Sequence, residues 1–200
     1  MTNDLSYGFR RNLFERERTY TLSDDGLNWS DSRGAGALPF SQMREIRVYS
    51  VMGNQVQSPS WRCFVHSVDG QKLALTSLHF AGLGDFEDRH PAMLAFSREL
   101  IARAARQNPA IVFTRGLPRA VWFLSLFYFA VVAGCTAFGA VVLALMIFEA
   151  RISALSALLF AGGIVVFAGI SYAIWRWLKR SWPRPFDPLK QDPFATSGGD

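Results

Sequence analysis

A group of histidines and carboxylates precedes the one strongly amphipathic stretch in the N-terminal half of the chain. It consists of His79, Asp85, Glu87, Asp88 and His90. Such side chains bind divalent cations or exchange protons, but their spacing matches no recognised metal motif. In the interpretation we favour, Asp88 or His90 caps the following helix and the acidic residues complement its dipole. We therefore expect no metal and no cofactor; the alternative is a small enzyme or metal-binding protein that uses this loop.

A cysteine and a histidine, Cys63 and His66, are residue types that nucleophilic catalysis or metal binding would use. They lie in a stretch that alternates apolar and polar residues, as a β-strand does. Side chains at positions i and i+3 of a strand point to opposite faces. We therefore expect a buried Cys63, an exposed His66 and no catalytic residue. The second cysteine, Cys135, lies in a distant apolar segment, so no disulfide is expected.

Basic residues flank the long apolar region near the C-terminus. Arg115 and Arg119 precede this region, and Lys179 and Arg180 follow it. Each such cation is attracted to anionic lipid by ~1 kcal/mol. These four residues are our candidate contacts to anionic lipid. The general excess of cations on the cytoplasmic side of membrane segments accounts for the same pattern.

The apolar region is predicted to be a transmembrane hairpin of two helices, over 120–148 and 152–178. Each contains at least the ~20 apolar residues that a helix needs to cross a bilayer. Neither span contains Asp, Glu, Lys or His, whereas ion and proton pathways use such residues. We therefore expect an anchor, and a channel formed by several hairpins is the less favoured alternative. Small residues four apart favour packing within the hairpin, with homo-oligomer contact as the alternative.

The charges around the hairpin predict its orientation. Cations precede and follow it, whereas its turn, Glu149-Ala150-Arg151, carries one charge of each sign. By the positive-inside rule both termini are cytoplasmic. Residues 179–200 contain several prolines and glycines and are predicted to form a disordered cytoplasmic tail.

Residues 8–107 are predicted to form a cytoplasmic α+β domain, joined to the hairpin by a linker over 108–119. Short alternating segments predict an antiparallel sheet with one buried face. The predicted strands include Phe14–Leu22, Leu27–Ser30, Met43–Val51 and Trp61–Val68. A helix follows, with the apolar stripe Met93, Phe96, Leu100 and Ala104.

The run Leu38-Pro39-Phe40-Ser41-Gln42-Met43 has a hydrophobic–Pro–aromatic–Ser–x–hydrophobic pattern. With several short strands and one closing helix, the chain resembles bacterial membrane proteins with a pleckstrin-homology-like (PH-like) domain. The resemblance implies a PH-like sheet or partial barrel, one C-terminal amphipathic helix and a membrane hairpin in the bacterial cytoplasmic membrane. Phosphoinositide-binding members carry cations at the first hairpin, whereas Ser23-Asp24-Asp25-Gly26 is acidic. Inositide binding is therefore not expected.

The net charge of +5 comes from basic residues interspersed with acidic ones, and no basic–aromatic array is present. Binding to nucleic acid is therefore not expected. We expect a non-enzymatic, membrane-anchored interaction or scaffold module. Its expected partners are membrane lipids and either another protein or further copies of itself.

Overall fold

The computed structural model describes residues 5–51, 60–82, 85–149 and 153–194, which form two compact units. The first unit contains the chain up to Gly116 and from Pro183 onward, and the second spans Leu117–Trp182. The first unit is α+β, and the second consists of two long helices. The α+β class predicted for the N-terminal domain is confirmed.

The first unit begins with a four-stranded antiparallel sheet in the order β1-β2-β3-β4. Its strands are β1 (Leu5–Phe9), β2 (Arg18–Leu22), β3 (Gly26–Asp31) and β4 (Gly34–Pro39). Strand β1 precedes the first predicted strand, and the predicted strand Phe14–Leu22 begins only at Arg18. The loop between the first two strands is therefore residues 10–17, and residues 23–25 form the turn after the second.

The chain then continues through β5 (Met43–Val51), β6 (Ser60–Ser67), β7 (Lys72–Thr76), β8 (Leu78–Gly82) and β9 (Asp85–Asp88). A 3-10 turn over Phe40–Gln42 leads into β5. Gly70 adopts a φ of 84° in the tight turn between β6 and β7, as the Asp-Gly pair predicts. Among the described residues, β8 and β9 pair only with each other, so most of the predicted loop before the helix is instead a pair of antiparallel strands.

Helix α1 (His90–Gln107) packs its predicted stripe into the core of the first unit. Met93, Phe96 and Leu100 are each at most 1% exposed. On the outer face Arg103 Nε donates to Glu99 Oε1 at 2.8 Å, the predicted pair one turn apart. Burial of apolar side chains at about 25 cal/mol per Å² makes this stripe the main attachment of the helix.

The chain after α1 returns to the sheet. Strand β10 (Val112–Arg115) runs parallel to β5, and the helices α2 (Arg119–Phe148) and α3 (Ala154–Arg180) follow it. Strand β11 (Arg184–Pro185) then pairs antiparallel with β10. The second sheet therefore has the mixed order β11-β10-β5-β6-β7, and the predicted wholly antiparallel sheet is wrong in this respect. The pairings among the described residues do not close either sheet into a barrel.

Helices α2 and α3 contain 30 and 27 residues, about 45 and 40 Å of helix at 1.5 Å per residue. Both are long and apolar enough to cross a membrane. Helix α2 begins one residue before the first predicted span, and α3 ends two residues beyond the second. Residues 150–152 lie outside the described part of the chain. A Cβ at Gly134 or Gly169 would meet no atom within 4 Å. The two helices pack against each other, as expected, but these two glycines do not lie at their closest approach.

Candidate functional site

The side chains of the predicted histidine–carboxylate cluster do not converge on one point, because several of them bind separate neighbours. Glu87 Oε2 accepts a hydrogen bond from Arg89 Nη2 at 2.8 Å, which lowers the pKa of the glutamate. Asp88 Oδ1 accepts from the backbone N–H of His90 at 3.0 Å, at the start of α1. The cap residue of the helix is Arg89, which makes no side-chain capping bond, so the predicted cap by Asp88 or His90 is wrong. Asp88 instead binds the N–H of the first helical residue, which has no partner within the helix.

The other histidine of the cluster, His79, faces a different neighbour. Its Nδ1 accepts a hydrogen bond from the backbone N–H of Arg10 at 3.1 Å. Within the described ranges no three His, Cys, Asp or Glu side chains come close enough together to hold a metal ion. The geometry thus offers neither an ion cage nor an oriented acid–base pair here.

Cys63 is fully buried, as the strand alternation predicts. Burial raises the pKa of its thiol to about 12, so the nucleophilic thiolate is scarce near neutral pH. His66 lies on the opposite face of β6, where it is half-buried and not fully exposed as predicted. Burial lowers the pKa of His66, while Glu45 opposes this effect. The two side chains do not form a catalytic pair.

The four candidate lipid-binding residues occupy the ends of three elements. Arg115 ends β10, Arg119 begins α2, and Lys179 and Arg180 lie in the last turn of α3. Arg115 belongs to the first unit and the other three to the second. Arg184 lies directly opposite Arg115 across the β10–β11 pair. Burial lowers the pKa of Arg115, Asp192 raises it and Arg184 lowers it further.

The C-terminal segment, residues 184–194, packs against the rest of the first unit, so this part of the tail predicted to be disordered over 179–200 is ordered. Residues 195–200 lie outside the described part of the chain. The segment starts with the two-residue strand β11 on the edge of β10. Phe186 then donates its backbone N–H to the carbonyl of Phe113 at 3.1 Å. The two rings meet edge to face, with centroids 5.9 Å apart. Within the predicted linker over 108–119, Val112–Arg115 is correspondingly a strand of the sheet.

The far end of the C-terminal segment contacts α1 and β6. Phe194 is 4% exposed, and its ring meets that of Trp61 edge to face at 5.2 Å. Arg98 donates to both carboxylate oxygens of Asp192, and its guanidinium lies 5.7 Å from the centre of the Phe194 ring. The residues that dock this segment are Phe186, Asp192 and Phe194. Its overall composition, which is typical of disorder, hides their contribution.

A second basic feature lies beside the loop over residues 10–17, between β1 and β2. A cavity of about 110 Å³ there is lined by cationic and acidic side chains. The lining includes Arg11, Arg16, Arg18, Arg33, Glu15 and Asp31. Arg18 is paired with Asp31 at 2.7 Å, and Arg11 with Glu15 at 3.5 Å. Phe14, also in the lining, is 87% exposed.

The loop over residues 10–17 corrects one sequence-based inference. The acidic turn that follows β2 joins the second and third strands, so it gives no argument about the first hairpin. That first hairpin is basic. The chain thus combines two apolar helices, a docked C-terminal segment and a basic cavity. No family model, curated protein or solved structure matches it.

Proposed function

We propose that the chain is a non-enzymatic, membrane-anchored interaction module of the bacterial cytoplasmic membrane, with a PH-like domain on the cytoplasmic side. The observation that carries this proposal is the position of the two apolar helices. They follow β10 directly and precede β11, and these two strands are paired with each other. The hairpin is thus an insertion into an α+β unit, and the described residues of that unit form no assembled catalytic group.

The pairing of β10 with β11 supports a topology with both ends of the hairpin on one side. Hydrogen-bonded strands are about 4.8 Å apart, whereas a hydrocarbon core is about 30 Å thick. Helices α2 and α3 must therefore cross an even number of times in total if they cross at all. The cations at both ends favour the cytoplasmic side.

The element order supports the PH-like assignment. A four-stranded antiparallel meander is followed by β5, β6 and β7 and then by the amphipathic helix α1. The β8–β9 hairpin and the strands β10 and β11 are additions to that plan. The interaction role rests on the resemblance to PH-like domains and on predicted spans that contain no Asp, Glu, Lys or His.

Labelling with a membrane-impermeant maleimide tests the topology. Glu149→Cys, next to the turn, should react in right-side-out vesicles in a Cys135→Ser background. Val68→Cys, at a position 63% exposed, should react only after the vesicles are opened. Labelling of both positions from the same side would contradict the proposed topology.

Cross-linking in native membranes, followed by affinity capture of the full chain, tests the interaction role. A covalent complex with another protein or with a second copy is the expected result. Recovery of the chain alone at native abundance, from samples in which a known complex is captured, would remove the interaction role. Anionic lipids that contact Arg115, Arg119, Lys179 and Arg180 should copurify with the captured chain.

The basic cavity favours a second function, recognition of anionic lipid headgroups through Arg16 and Arg33. The full chain is placed in nanodiscs of phosphatidylcholine, with or without phosphatidylglycerol. Anionic lipid should slow hydrogen exchange in residues 10–18, and Arg16→Gln with Arg33→Gln should abolish the effect. Arg62→Gln, an exposed residue of β6, is the control. Equal exchange in both lipids would exclude this function.

A further inference from the structure

We infer that the surface formed by the edge of β10, Trp61 and Arg98 is a peptide-binding site, which the C-terminal segment occupies in cis. This inference rests on the proposed interaction role and specifies its surface. The partner is an extended peptide that carries an aromatic residue beside a strand edge. Further along, it carries a carboxylate two residues before a second aromatic residue.

The strand edge supplies the first part of recognition. Thr114 and Arg115 pair with Pro185 and Arg184, and the N–H of Phe186 reaches the Phe113 carbonyl at 3.1 Å. Main-chain bonds of this kind accept any extended peptide, so they provide affinity with little selectivity. The Phe113 ring adds an aromatic contact for the side chain that follows the paired residues.

Selectivity comes from the second part, around Arg98. This guanidinium donates to both oxygens of Asp192, at 3.3 and 2.8 Å, and also lies over the Phe194 ring. Trp61 packs against the other part of that ring, so the aromatic side chain is almost fully buried. An acid–x–aromatic sequence therefore satisfies Arg98 and Trp61 at once. A peptide without the acid leaves the guanidinium without this partner.

The middle of the C-terminal segment supports an exchangeable contact because its hydrogen bonds are internal. Asp187 accepts from the backbone N–H groups of Leu189, Lys190 and Gln191. Leu189 is 66% exposed. The contacts described above lie near the two ends of the segment. At one end are the two residue pairs of strand and the Phe186–Phe113 contacts, and at the other are those of Asp192 and Phe194 with Arg98 and Trp61. A peptide in trans has to displace these two groups of contacts.

Fluorescence anisotropy tests the exchange directly. The probe is a labelled peptide with the sequence of residues 183–194, and the receptor is the full chain in nanodiscs. In the wild-type chain the cis segment competes at an effective concentration on the order of millimolar. We expect Asp192→Asn with Phe194→Ala in the receptor to bind the probe at least tenfold more tightly than wild type does.

Receptor variants then locate the probe. Adding Arg98→Gln to the double variant should reduce probe binding at least tenfold, whereas Arg106→Gln, an exposed arginine on the same helix, should leave it unchanged. A probe in which alanine replaces the residues equivalent to Asp192 and Phe194 should not bind. A receptor truncated after Trp182 lacks the cis segment altogether, so it should also bind the probe more tightly than wild type does.

Failure of the truncated, folded receptor to bind the probe more tightly than wild type would overturn the inference. So would equal binding by the Arg98→Gln and Arg106→Gln receptors. Neither result affects the maleimide labelling or the captured complexes, so the broader interaction role would stand. Conversely, tight and Arg98-dependent probe binding without any captured partner in membranes would overturn the interaction role and leave the peptide site.

Discussion

The carboxylate of Asp192 accepts two hydrogen bonds from the guanidinium of Arg98, a residue 94 positions earlier in the chain. Helices α2 and α3 lie between the two residues in sequence. The contact therefore fastens the chain that follows the apolar helices to the helix that precedes them. Both partners remain partly solvated, so an ordinary contribution of at most about 1 kcal/mol is expected.

Asp192→Asn should weaken the docking of the C-terminal segment in a pH-dependent way. Arg98 holds the pKa of Asp192 below its ordinary value, so the ionised carboxylate stabilises the folded state above about pH 4. This contribution is lost as the pH falls through the lowered pKa. The difference in Tm between wild type and variant should therefore be present at pH 7 and vanish in strong acid. A difference that is constant from pH 7 to pH 2 would contradict this assignment.

Phe194→Ala should destabilise the first unit by about 3 kcal/mol, the usual cost of removing a buried phenyl ring. The reason is the loss of the ring packed against Trp61. Chemical denaturation in detergent, followed by hydrogen exchange in β6, measures the effect. Leu189→Ala in the same segment is the matched control, because Leu189 is largely exposed and should cost almost nothing. Equal effects of the two substitutions would show that the docked ring contributes little.

Cys63 should resist thiol reagents in the native protein. Its side chain is fully buried and its pKa is raised to about 12, so both access and thiolate formation are suppressed. Iodoacetamide at pH 8 should modify it only after denaturation, which mass spectrometry of the β6 peptide detects. Rapid native modification would indicate that the strand opens readily.

Gly26→Ala should destabilise the first sheet by about 1–3 kcal/mol, the range typical of overpacking. A Cβ at this position would lie 2.8 Å from the Cα of Pro39 and would also collide with the Leu38 carbonyl oxygen. Backbone atoms on the paired strand cannot move aside as a flexible side chain does. Gly34→Ala, where no atom lies within 4 Å, should leave the unfolding midpoint almost unchanged. Matching midpoints for the two variants would contradict the close approach.

Periodic patterns predicted the parts of the fold that bury a continuous apolar face. The stripe from Met93 to Ala104 recurs with helical spacing, and the alternation around Cys63 and Val65 has the period of a strand. Both are local signals, because the side chains that share a face are close in sequence. The structure buries all four of these residues completely.

The C-terminal segment had no comparable signal. Strand β11 contains two residues, too few to show a period, and one of them is proline. Its composition is typical of disorder, yet Phe194 is buried by Trp61, which lies far away in sequence. Strand β1 was missed for a different reason. Only two of its five residues, Tyr7 and Phe9, are buried, which is too short an alternation to distinguish a strand from a loop.

The position of the hairpin inside the first unit sets an order of events during protein synthesis. Roughly 80 residues separate Arg115 from Phe194, and both apolar helices lie within that interval. At translation rates of about 5–20 residues per second, the ribosome needs about 4–16 s to cross it. Throughout that time Trp61 lacks the ring that covers it. The apolar helices therefore leave the ribosome, and become available for insertion, before the core of the first unit can be completed.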